Sequence, residues 1–214
     1  MAEVAGGPSG AVAVAGSLWS VPEDARIDAV RALAERGMRR LHWDMTDGRF
    51  AVAGGFDPAA AARIAETTGM TGEAHLMAEE PLAIVDAWAE VCDTVVVHAE
   101  STGWRTAVDR LEQRGCRAAI AVSLATPAAA VPSWLPVMCM SIVPGQAGSA
   151  FDRRVLAKVA ELREAGGPGR PIGLDGGVTR AIADDAIAAG ADWLVVGTDL
   201  FAAGGADRWA DLLG

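Results

Sequence analysis

The sequence predicts an α/β fold in which eight parallel strands close into a single (β/α)8 barrel, the TIM barrel. Eight short runs rich in Val, Ile, Leu or Met recur along the chain. Between them lie longer segments whose apolar residues follow the i, i+3, i+4 spacing of amphipathic helices. The length of 214 residues allows roughly 25 residues for each strand–helix unit, near the small end for this fold. Pattern counting leaves an open α/β sheet as the alternative.

Each predicted strand is a short apolar run bounded by Gly, Pro or polar residues, as in buried parallel sheets. Several begin just after a glycine that ends a helical segment, as in "ERGMRRLHW", "QRGCRAAIA" and "AAGADWLVV". This recurring junction is typical of a chain built from β–α units. In chain order, the predicted strands are Ala11–Leu18, Arg40–Met45, Gly72–Met77, Thr94–His98, Ala118–Leu124, Val137–Val143, Ile172–Leu174 and Trp193–Val196.

The predicted helices begin and end at residues that favour those positions. Proline is tolerated in a first turn because its missing N–H needs no partner there, and glycine accepts the left-handed conformation that ends many helices. Prolines near predicted starts are Pro22, Pro58 and Pro81, and glycines at predicted ends are Gly37, Gly69, Gly115 and Gly190.

Composition excludes several classes of protein. Hydrophobic residues make up 51% of the chain and charged residues 21%, so the chain can bury a core and is not disordered. The 18 basic and 28 acidic residues leave a net charge of -10, which argues against nucleic-acid binding because phosphates need a basic face. No apolar stretch reaches the roughly 18 residues of a membrane span.

Length and cysteine usage bound the organisation and the compartment. At about 150 residues per domain, a single domain over residues 1–214 is expected. Residues 1–10 are acidic and rich in Gly and Pro, so we expect a flexible lead-in and not a signal peptide. Three widely spaced cysteines argue against a disulfide framework and favour a reducing cytoplasm.

Proton-transfer groups are scarce, and they fall at predicted strand ends. All three histidines, His42, His75 and His98, lie at or near the carboxyl end of a strand, the end where such barrels carry their active sites. His42 and Asp44 are two residues apart and face one side of their strand, and Asp175 ends the seventh strand. The two imidazoles His42 and His75 and the two carboxylates would suit Zn²⁺, Mn²⁺, Fe²⁺ or Co²⁺. The competing interpretation is that the histidines are structural and the carboxylates only cap the following loops.

Glycine-rich loops follow the sixth, seventh and eighth strands, at Pro144–Gly148, Gly176–Gly177 and Gly197–Thr198. Backbone N–H groups in such loops bind phosphate without a basic side chain. Ordinary tight turns explain any one of these loops but explain three together poorly. The only lysine, Lys158, falls within a predicted helix far from any strand end, which disfavours Schiff-base chemistry.

The chain resembles the ribulose-phosphate 3-epimerase family through motifs in that family's order, from about residue 14 to 201: "SLWS", "LHWDMTDGRF", "HLM", "VVVHAE", "MSIVPGQAG", "LDGGV" and "VVGTDLF". The resemblance implies a barrel of the ribulose-phosphate-binding type, a sugar-phosphate substrate and a homo-oligomer. It implies that His42, Asp44, His75 and Asp175 bind a divalent metal ion. It also implies that Asp44 and Asp175 exchange a proton at C3 of a ketose phosphate from opposite faces. Implied substrate contacts are Ser17, Met77, Met140, Gly148, Gly176, Gly177, Gly197 and Thr198, the last replacing the usual Ser.

Departures from the family pattern surround the expected mouth of the barrel. They fall at Thr46, Ala51–Ala53, Ser123–Leu124, Val143 and Gln146–Ala147. We therefore expect epimerase chemistry of the D-ribulose 5-phosphate/D-xylulose 5-phosphate type, with a different sugar phosphate as the alternative substrate. Such a substrate would be a hexulose 6-phosphate of the allulose or fructose kind, or a specialised-pathway sugar. Two further candidate functions are a non-catalytic phosphosugar-binding barrel and a metal-dependent isomerase or lyase.

Overall fold

The computed structural model of the protein describes residues 12–213, and within them eight parallel strands form a closed barrel. The barrel strands are β1 (Ala13–Ser17), β2 (Arg40–Thr46), β4 (Thr71–Met77), β5 (Thr94–His98), β6 (Arg117–Val122), β7 (Val137–Met140), β8 (Ile172–Asp175) and β9 (Trp193–Val196). Each pairs with its neighbours in chain order, and β1 pairs with both β2 and β9, which closes the ring. The predicted barrel is confirmed and the open sheet is excluded. The expected lead-in at residues 1–10 lies outside the described residues.

A ninth strand, which the sequence pattern did not predict, lies at the mouth. The two-residue β3 (Gly54–Gly55) pairs antiparallel with the end of β2, opposite Met45 and Thr46. A run of two glycines carries no period-2 apolar signal, so only the pairing identifies it. The hairpin folds the segment after β2 back over the barrel rim.

Strand β1 ends one residue earlier than predicted, and β6 and β7, each followed by a serine with polar contacts, end two and three residues earlier. The amide of Ser123 donates to the carboxylate of Glu100 (2.9 Å) instead of a strand neighbour, so β6 ends at Val122 and not at Leu124. The Ser141 amide still donates to the Asp175 carbonyl of β8 (2.8 Å) while its hydroxyl donates to the Gly176 carbonyl, and β7 ends at Met140 and not at Val143. The apolar residues that follow β7 line or border the mouth and are not part of the strand.

Helices lie between the strands along the chain, as the alternating pattern predicts. They are α1 (Arg26–Ala34), α2 (Pro58–Thr68), α3 (Val85–Ala89), α4 (Trp104–Gln113), α5 (Arg154–Gly166), α6 (Arg180–Ala189), α7 (Thr198–Phe201) and α8 (Gly205–Arg208), with 3₁₀ turns at Glu23–Ala25, Pro81–Ala83 and Ala128–Ala130. Helix α2 begins with Pro58, and the Asp57 side chain caps it by accepting from the Ala60 amide (2.7 Å). Among residues 12–213, no helix combines the length and the apolar composition needed to cross a bilayer.

The barrel interior is filled below the mouth by a small apolar cluster. Its members are Ala15, Val96, Ala119, Ala121, Met138, Met140, Trp193 and Val195. The indole of Trp193 occupies the space beside Gly173, whose hydrogen leaves room for the ring: a Cβ there would lie 2.2 Å from Trp193 Cε2. The described interior is therefore a packed core below the carboxyl ends of the strands.

Candidate metal centre and substrate cavity

Four side chains meet at the carboxyl ends of three strands. β2 contributes His42 and Asp44, β4 contributes His75, and β8 contributes Asp175. Asp44 and His75 are register partners on neighbouring strands. All four residues are buried, and one donor atom from each lies within 4.8 Å of the others. The structure thus brings together the four residues that the sequence pattern singled out.

The nitrogen and oxygen atoms of this cluster point toward one another. His75 Nδ1 lies 3.3 Å from Asp44 Oδ1 and 3.4 Å from Asp175 Oδ2. His42 Nε2 lies 3.3 Å from Asp44 Oδ1 and 3.9 Å from Asp175 Oδ2. The Ser17 hydroxyl donates to the other oxygen of Asp44, Oδ2, at 2.6 Å. Asp44 is thereby oriented with Oδ1 toward both imidazoles.

One buried atom of the cluster fits a bound cation. His42 Nε2 is inaccessible to solvent and forms no hydrogen bond of acceptable geometry within the described part of the chain, although Asp44 is near. The other ring nitrogen, Nδ1, lies 2.8 Å from Glu73 Oε1. A carboxylate accepts from an imidazole N–H, so Nδ1 carries a ring proton and Nε2 is the ring nitrogen that faces the cluster. Because an unpaired buried polar atom is costly, this donor set fits a divalent ion that takes mixed nitrogen and oxygen ligands.

The imidazoles and carboxylates of the cluster shift one another's pKa values. Burial alone would lower the pKa of His42, but Asp44, Glu73 and Asp175 outweigh it, and the pKa lies well above its ordinary value. Burial likewise opposes the charged form of His75, yet Asp175 and Asp44 raise its pKa. Burial would raise the pKa of Asp44, but His42 and His75 hold it far below its usual range. The carboxylates therefore require positive charge nearby, from protons on the imidazoles or from a cation.

The third histidine lies behind the cluster. His98 Nε2 is 2.8 Å from His75 Nε2, and His98 Nδ1 is 3.1 Å from Glu100 Oε2. Burial lowers the pKa of His98 to about 4, against the opposing effect of Glu100. His98 thus contacts a residue of the cluster without being a member of it.

A cavity of about 470 Å³ lies above the cluster, and every predicted substrate contact lines it. The carboxylates of Asp44 and Asp175 reach its floor. Gly177 has φ +62°, and a Cβ there would lie 2.9 Å from the Ser149 carbonyl oxygen, so only glycine fits beside that loop. The predicted contacts in its lining are Ser17, Met77, Met140, Gly148, Gly176, Gly177, Gly197 and Thr198.

Some lining residues were not predicted. Trp19 and Phe151 form apolar walls, and Thr179 precedes α6 beside the glycines. Trp19 also packs against β3: a Cβ on Gly55 would lie 2.9 Å from its ring. Trp19 stands inside the "SLWS" motif at a strand end, so its position was the available signal.

The departures from the family pattern have structural roles at the mouth. The Thr46 hydroxyl donates to the Val52 carbonyl (2.6 Å) and so holds the segment between β2 and β3. Ala51 lies close to Gly145 in the loop after β7. A Cβ placed on Gly145 would lie 2.7 Å from the Cβ of Ala51. Val52 and Val143 are 85% and 60% exposed. The mouth is therefore bordered by apolar side chains on two adjoining loops.

The side chain of Lys158 extends to a strand end, which the sequence did not predict. It lies on α5, as predicted, but its ammonium group extends to the loop at the end of β6. There Nζ donates to the carbonyls of Ser123, at 2.8 Å, and of Thr126. The prediction that this amine is remote from every strand end is wrong, because a long side chain spans the distance from helix to loop. Both of these amine contacts are with backbone oxygens outside the cavity lining.

Comparison with known proteins gives one consistent family. The sequence model of the ribulose-phosphate 3 epimerase family matches residues 13–201. The chain is 28% identical to ribulose-phosphate 3-epimerase of Bacillus subtilis (strain 168), over 92% of this chain and 94% of that protein. It is 30% identical to the chloroplastic ribulose-5-phosphate-3-epimerase of Arabidopsis thaliana, over 82% of this chain and 66% of that protein.

Solved structures show the same barrel. KGPDC from Streptococcus mutans superposes with a TM-score of 0.69 at 12% identity, covering 94% of this chain and 96% of that one. The N-acetylmannosamine-6-phosphate 2-epimerase of Clostridium perfringens gives 0.64 at 15% identity, covering 94% and 90%. These likenesses establish the fold, and the sequence match, which extends from β1 into α7, establishes the family. The chain belongs to the ribulose-phosphate 3-epimerase family.

Proposed function

We propose that the protein is a metal-dependent epimerase that inverts C3 of a ketose phosphate, of the D-ribulose 5-phosphate/D-xylulose 5-phosphate type. The observation that carries this proposal is the placement of Asp44 and Asp175. They extend from β2 and β8, which are separated by β1 and β9 on one side of the ring and by β4 to β7 on the other. Both carboxylates nevertheless line the same cavity and approach the same nitrogen of His75.

Inversion of a carbon needs one acid/base group on each face. A proton on C3, next to a C2 ketone, can be removed when the charge that develops on the oxygen is stabilised. In the proposed reaction one aspartate takes this proton as a carboxylate, and the other, as a carboxylic acid, returns a proton to the opposite face. Residues on different strands can present their carboxylates from two directions. A non-catalytic sugar-phosphate binder has no need of this arrangement.

His42, Asp44, His75 and Asp175 would hold a divalent ion at the cavity floor. When bound, Zn²⁺, Fe²⁺, Mn²⁺ or Co²⁺ would supply Lewis-acid stabilisation of the developing oxyanion, a contribution of several kcal/mol. Glu73 orients His42 through Nδ1, and Ser17 orients Asp44 through Oδ2. These contacts fix the directions of one proposed metal ligand and of one of the two carboxylates proposed to act on C3.

The glycine-rich end of the cavity would hold the phosphate. Gly176 and Gly177 follow β8, Gly197 precedes α7, and Gly148 lies in the loop after β7. Backbone amides of such loops can donate to phosphate oxygens, and none of the described residues that line the cavity is basic. The two apolar walls, Trp19 and Phe151, would exclude water from the carbon chain.

The substitutions at the mouth favour a second candidate, the same reaction on a different ketose phosphate. Ala147 lines the cavity, while Val52 and Val143 expose apolar side chains at its rim. A hexulose 6-phosphate or a specialised-pathway sugar phosphate would keep the C2 ketone and the C3 proton that the aspartates require. In this proposal the residues at the mouth of the cavity select the substrate, and Asp44 and Asp175 at its floor carry out the proton transfer.

The proposal is tested by isotope exchange. The metal-loaded protein is incubated in D₂O with a panel of pentulose and hexulose phosphates, and deuterium at C3 is followed by NMR. We expect exchange at C3 together with formation of the C3 epimer for at least one ketose phosphate. If no member of the panel exchanges although metal analysis shows a bound ion, the epimerase proposal is wrong.

Gly177→Ala is expected to raise KM for the sugar phosphate by about tenfold, with a smaller change in kcat. The added methyl group would meet the Ser149 carbonyl and would sit at φ +62°, which L-residues adopt at a cost of roughly 1–2 kcal/mol. The loop that contains Gly177 must then shift, and the backbone amides proposed to bind the phosphate shift with it. Steady-state kinetics measure the effect, and Gly169→Ala, which meets open space, is the control. An unchanged KM would remove Gly177 from the phosphate site.

A further inference from the structure

A line of polar contacts runs outward from the metal cluster on the side away from the cavity. His75 Nδ1 faces Asp44 and Asp175, while its other nitrogen, Nε2, contacts His98 Nε2 at 2.8 Å. His98 Nδ1 then contacts Glu100 Oε2 at 3.1 Å. Both imidazoles are completely buried, and their ring planes are inclined by 23°. The proposed reaction uses neither His98 nor Glu100.

The protons along this line can be assigned from its outer end. Glu100 Oε1 accepts from the Ser123 amide at 2.9 Å and from the Thr126 hydroxyl, so Glu100 is held as a carboxylate that can only accept. The Glu100 carboxylate therefore accepts the Nδ1 proton of His98. The 2.8 Å between the two Nε2 atoms admits one proton, and a metal ion bound at His75 Nδ1 requires that proton to stand on His75. His75 must therefore carry its proton on Nε2 and donate it to His98. The lone pair of His75 Nδ1 is left facing the carboxylates.

The outer end of the line is anchored in the scaffold. Ser123 and Thr126 belong to the loop after β6, and their carbonyls accept from Lys158 of α5. The Phe50 ring packs on His98 at a centroid distance of 4.6 Å and covers it from the mouth. Glu100 is thus tied to a loop, and the loop to a helix, so the carboxylate cannot rotate away without breaking these bonds.

We propose that His98 and Glu100 are positioning residues, which act through His75 by selecting the ring proton and orientation that turn the Nδ1 lone pair toward a bound metal ion. This inference rests on the metal site of the proposed function. It gives the contacts from His75 to His98 and from His98 to Glu100 a role in holding a metal ligand. Glu73 holds His42 by the same chemistry on the other side of the cluster.

Glu100→Gln would reverse the donor and acceptor roles along this line of hydrogen bonds, because glutamine has nearly the same shape as glutamate but carries an NH₂ group. The Ser123 amide can only donate, so the carbonyl of Gln would face it and the NH₂ group would face His98 Nδ1. His98 would then carry its proton on Nε2 and donate to His75 Nε2. This would place the His75 proton on Nδ1, where a metal ion must bind. We expect affinity for Co²⁺, measured by absorption titration against a competing chelator, to fall about 10- to 100-fold.

Two control variants distinguish proton selection from general disturbance. Thr126→Val removes one donor to Glu100 but keeps the carboxylate, and Glu90→Gln removes an exposed carboxylate that pairs with Arg114. The Co²⁺ affinity of both variants should stay within about threefold of that of the unmodified protein, because neither substitution changes which nitrogen of His75 or His98 carries the proton. Equal loss in Thr126→Val and Glu100→Gln, or no loss in Glu100→Gln, would overturn the proposal.

A second measurement needs no variant and covers the case in which Glu100→Gln fails to fold. Long-range ¹H–¹⁵N NMR spectra of the Zn²⁺-loaded protein should place the protons on His75 Nε2 and His98 Nδ1. A proton on His98 Nε2 contradicts the inference. If Co²⁺ and Zn²⁺ do not bind the unmodified protein, the metal-dependent function and this inference both fail. If they bind but no ketose phosphate exchanges at C3, only the epimerase function fails.

Discussion

Asp175→Asn is expected to lower the turnover of C3 epimerisation by about a thousandfold and to leave the barrel folded. An amide of the same shape can neither take nor return a proton, and loss of a positioned acid/base group typically lowers rates by about 10²–10⁴-fold. Asp175 lies at the end of β8, with its side chain at the cavity floor and not in the apolar core. The measurements are steady-state turnover and thermal unfolding of the same preparation.

Isotope exchange makes this prediction more specific. With Asp44 still present, one epimer should retain slow exchange of its C3 proton with D₂O, whereas the other epimer should not exchange. The metal content of the variant is measured in parallel, because Asp175 is also one of the proposed ligands. Asp184→Asn, an exposed position on α6 that pairs with Arg180, serves as the control and should keep full turnover. Near-normal turnover in Asp175→Asn would remove Asp175 from the reaction.

Gly173→Ala is expected to reduce the free energy of unfolding by about 1–3 kcal/mol, the usual effect of overpacking a closed core. Its new methyl group would point at the Trp193 indole, with the nearest ring atom 2.2 Å away. Both residues lie in β strands of the barrel and face each other in register. Denaturant unfolding followed by circular dichroism measures the loss.

A double-mutant cycle with Trp193→Leu shows whether the indole causes this loss. Trp193→Leu alone should destabilise the barrel by leaving a cavity, by about 2–4 kcal/mol. The two substitutions together should destabilise less than the sum of the single effects, because the methyl group occupies part of that cavity. Strict additivity would show that the barrel accommodates the methyl group elsewhere.

Most of the fold could be predicted because the strands are fully buried. Strand residues such as Val95 and Val97 face the helices while Val96 faces the interior, so each strand appears as a continuous apolar run of recognisable length. The largest errors fall at the ends of β6 and β7, at Ser123, whose amide donates to Glu100, and at Ser141, whose hydroxyl donates to the Gly176 carbonyl. Apolar composition continues past both points because Leu124 packs against the core and Ile142 lines the cavity.

The candidate site was predicted from residue type and strand position, and its supporting groups were not. His42, Asp44, His75 and Asp175 are rare groups at strand ends, which makes them visible in a sequence. Glu73 stands two residues before His75 and therefore faces the same side of β4, a signal that alternation offered. Lys158 gave no such signal, because its partners lie on another element, and Glu100 stands two residues beyond the end of β5, where strand alternation no longer applies.

The sequence by itself determined the order of the elements, the charge that argues against nucleic-acid binding, and the strand ends at which the chemistry stands. These follow from local periodicity and residue type, which every segment carries within itself. Only the tertiary structure decided that β1 pairs with both β2 and β9, that four donors from three strands lie within 4.8 Å, and that His75 contacts His98. The two histidines of that contact are 23 positions apart in the chain, and closure of the barrel is what brings them within hydrogen-bond distance.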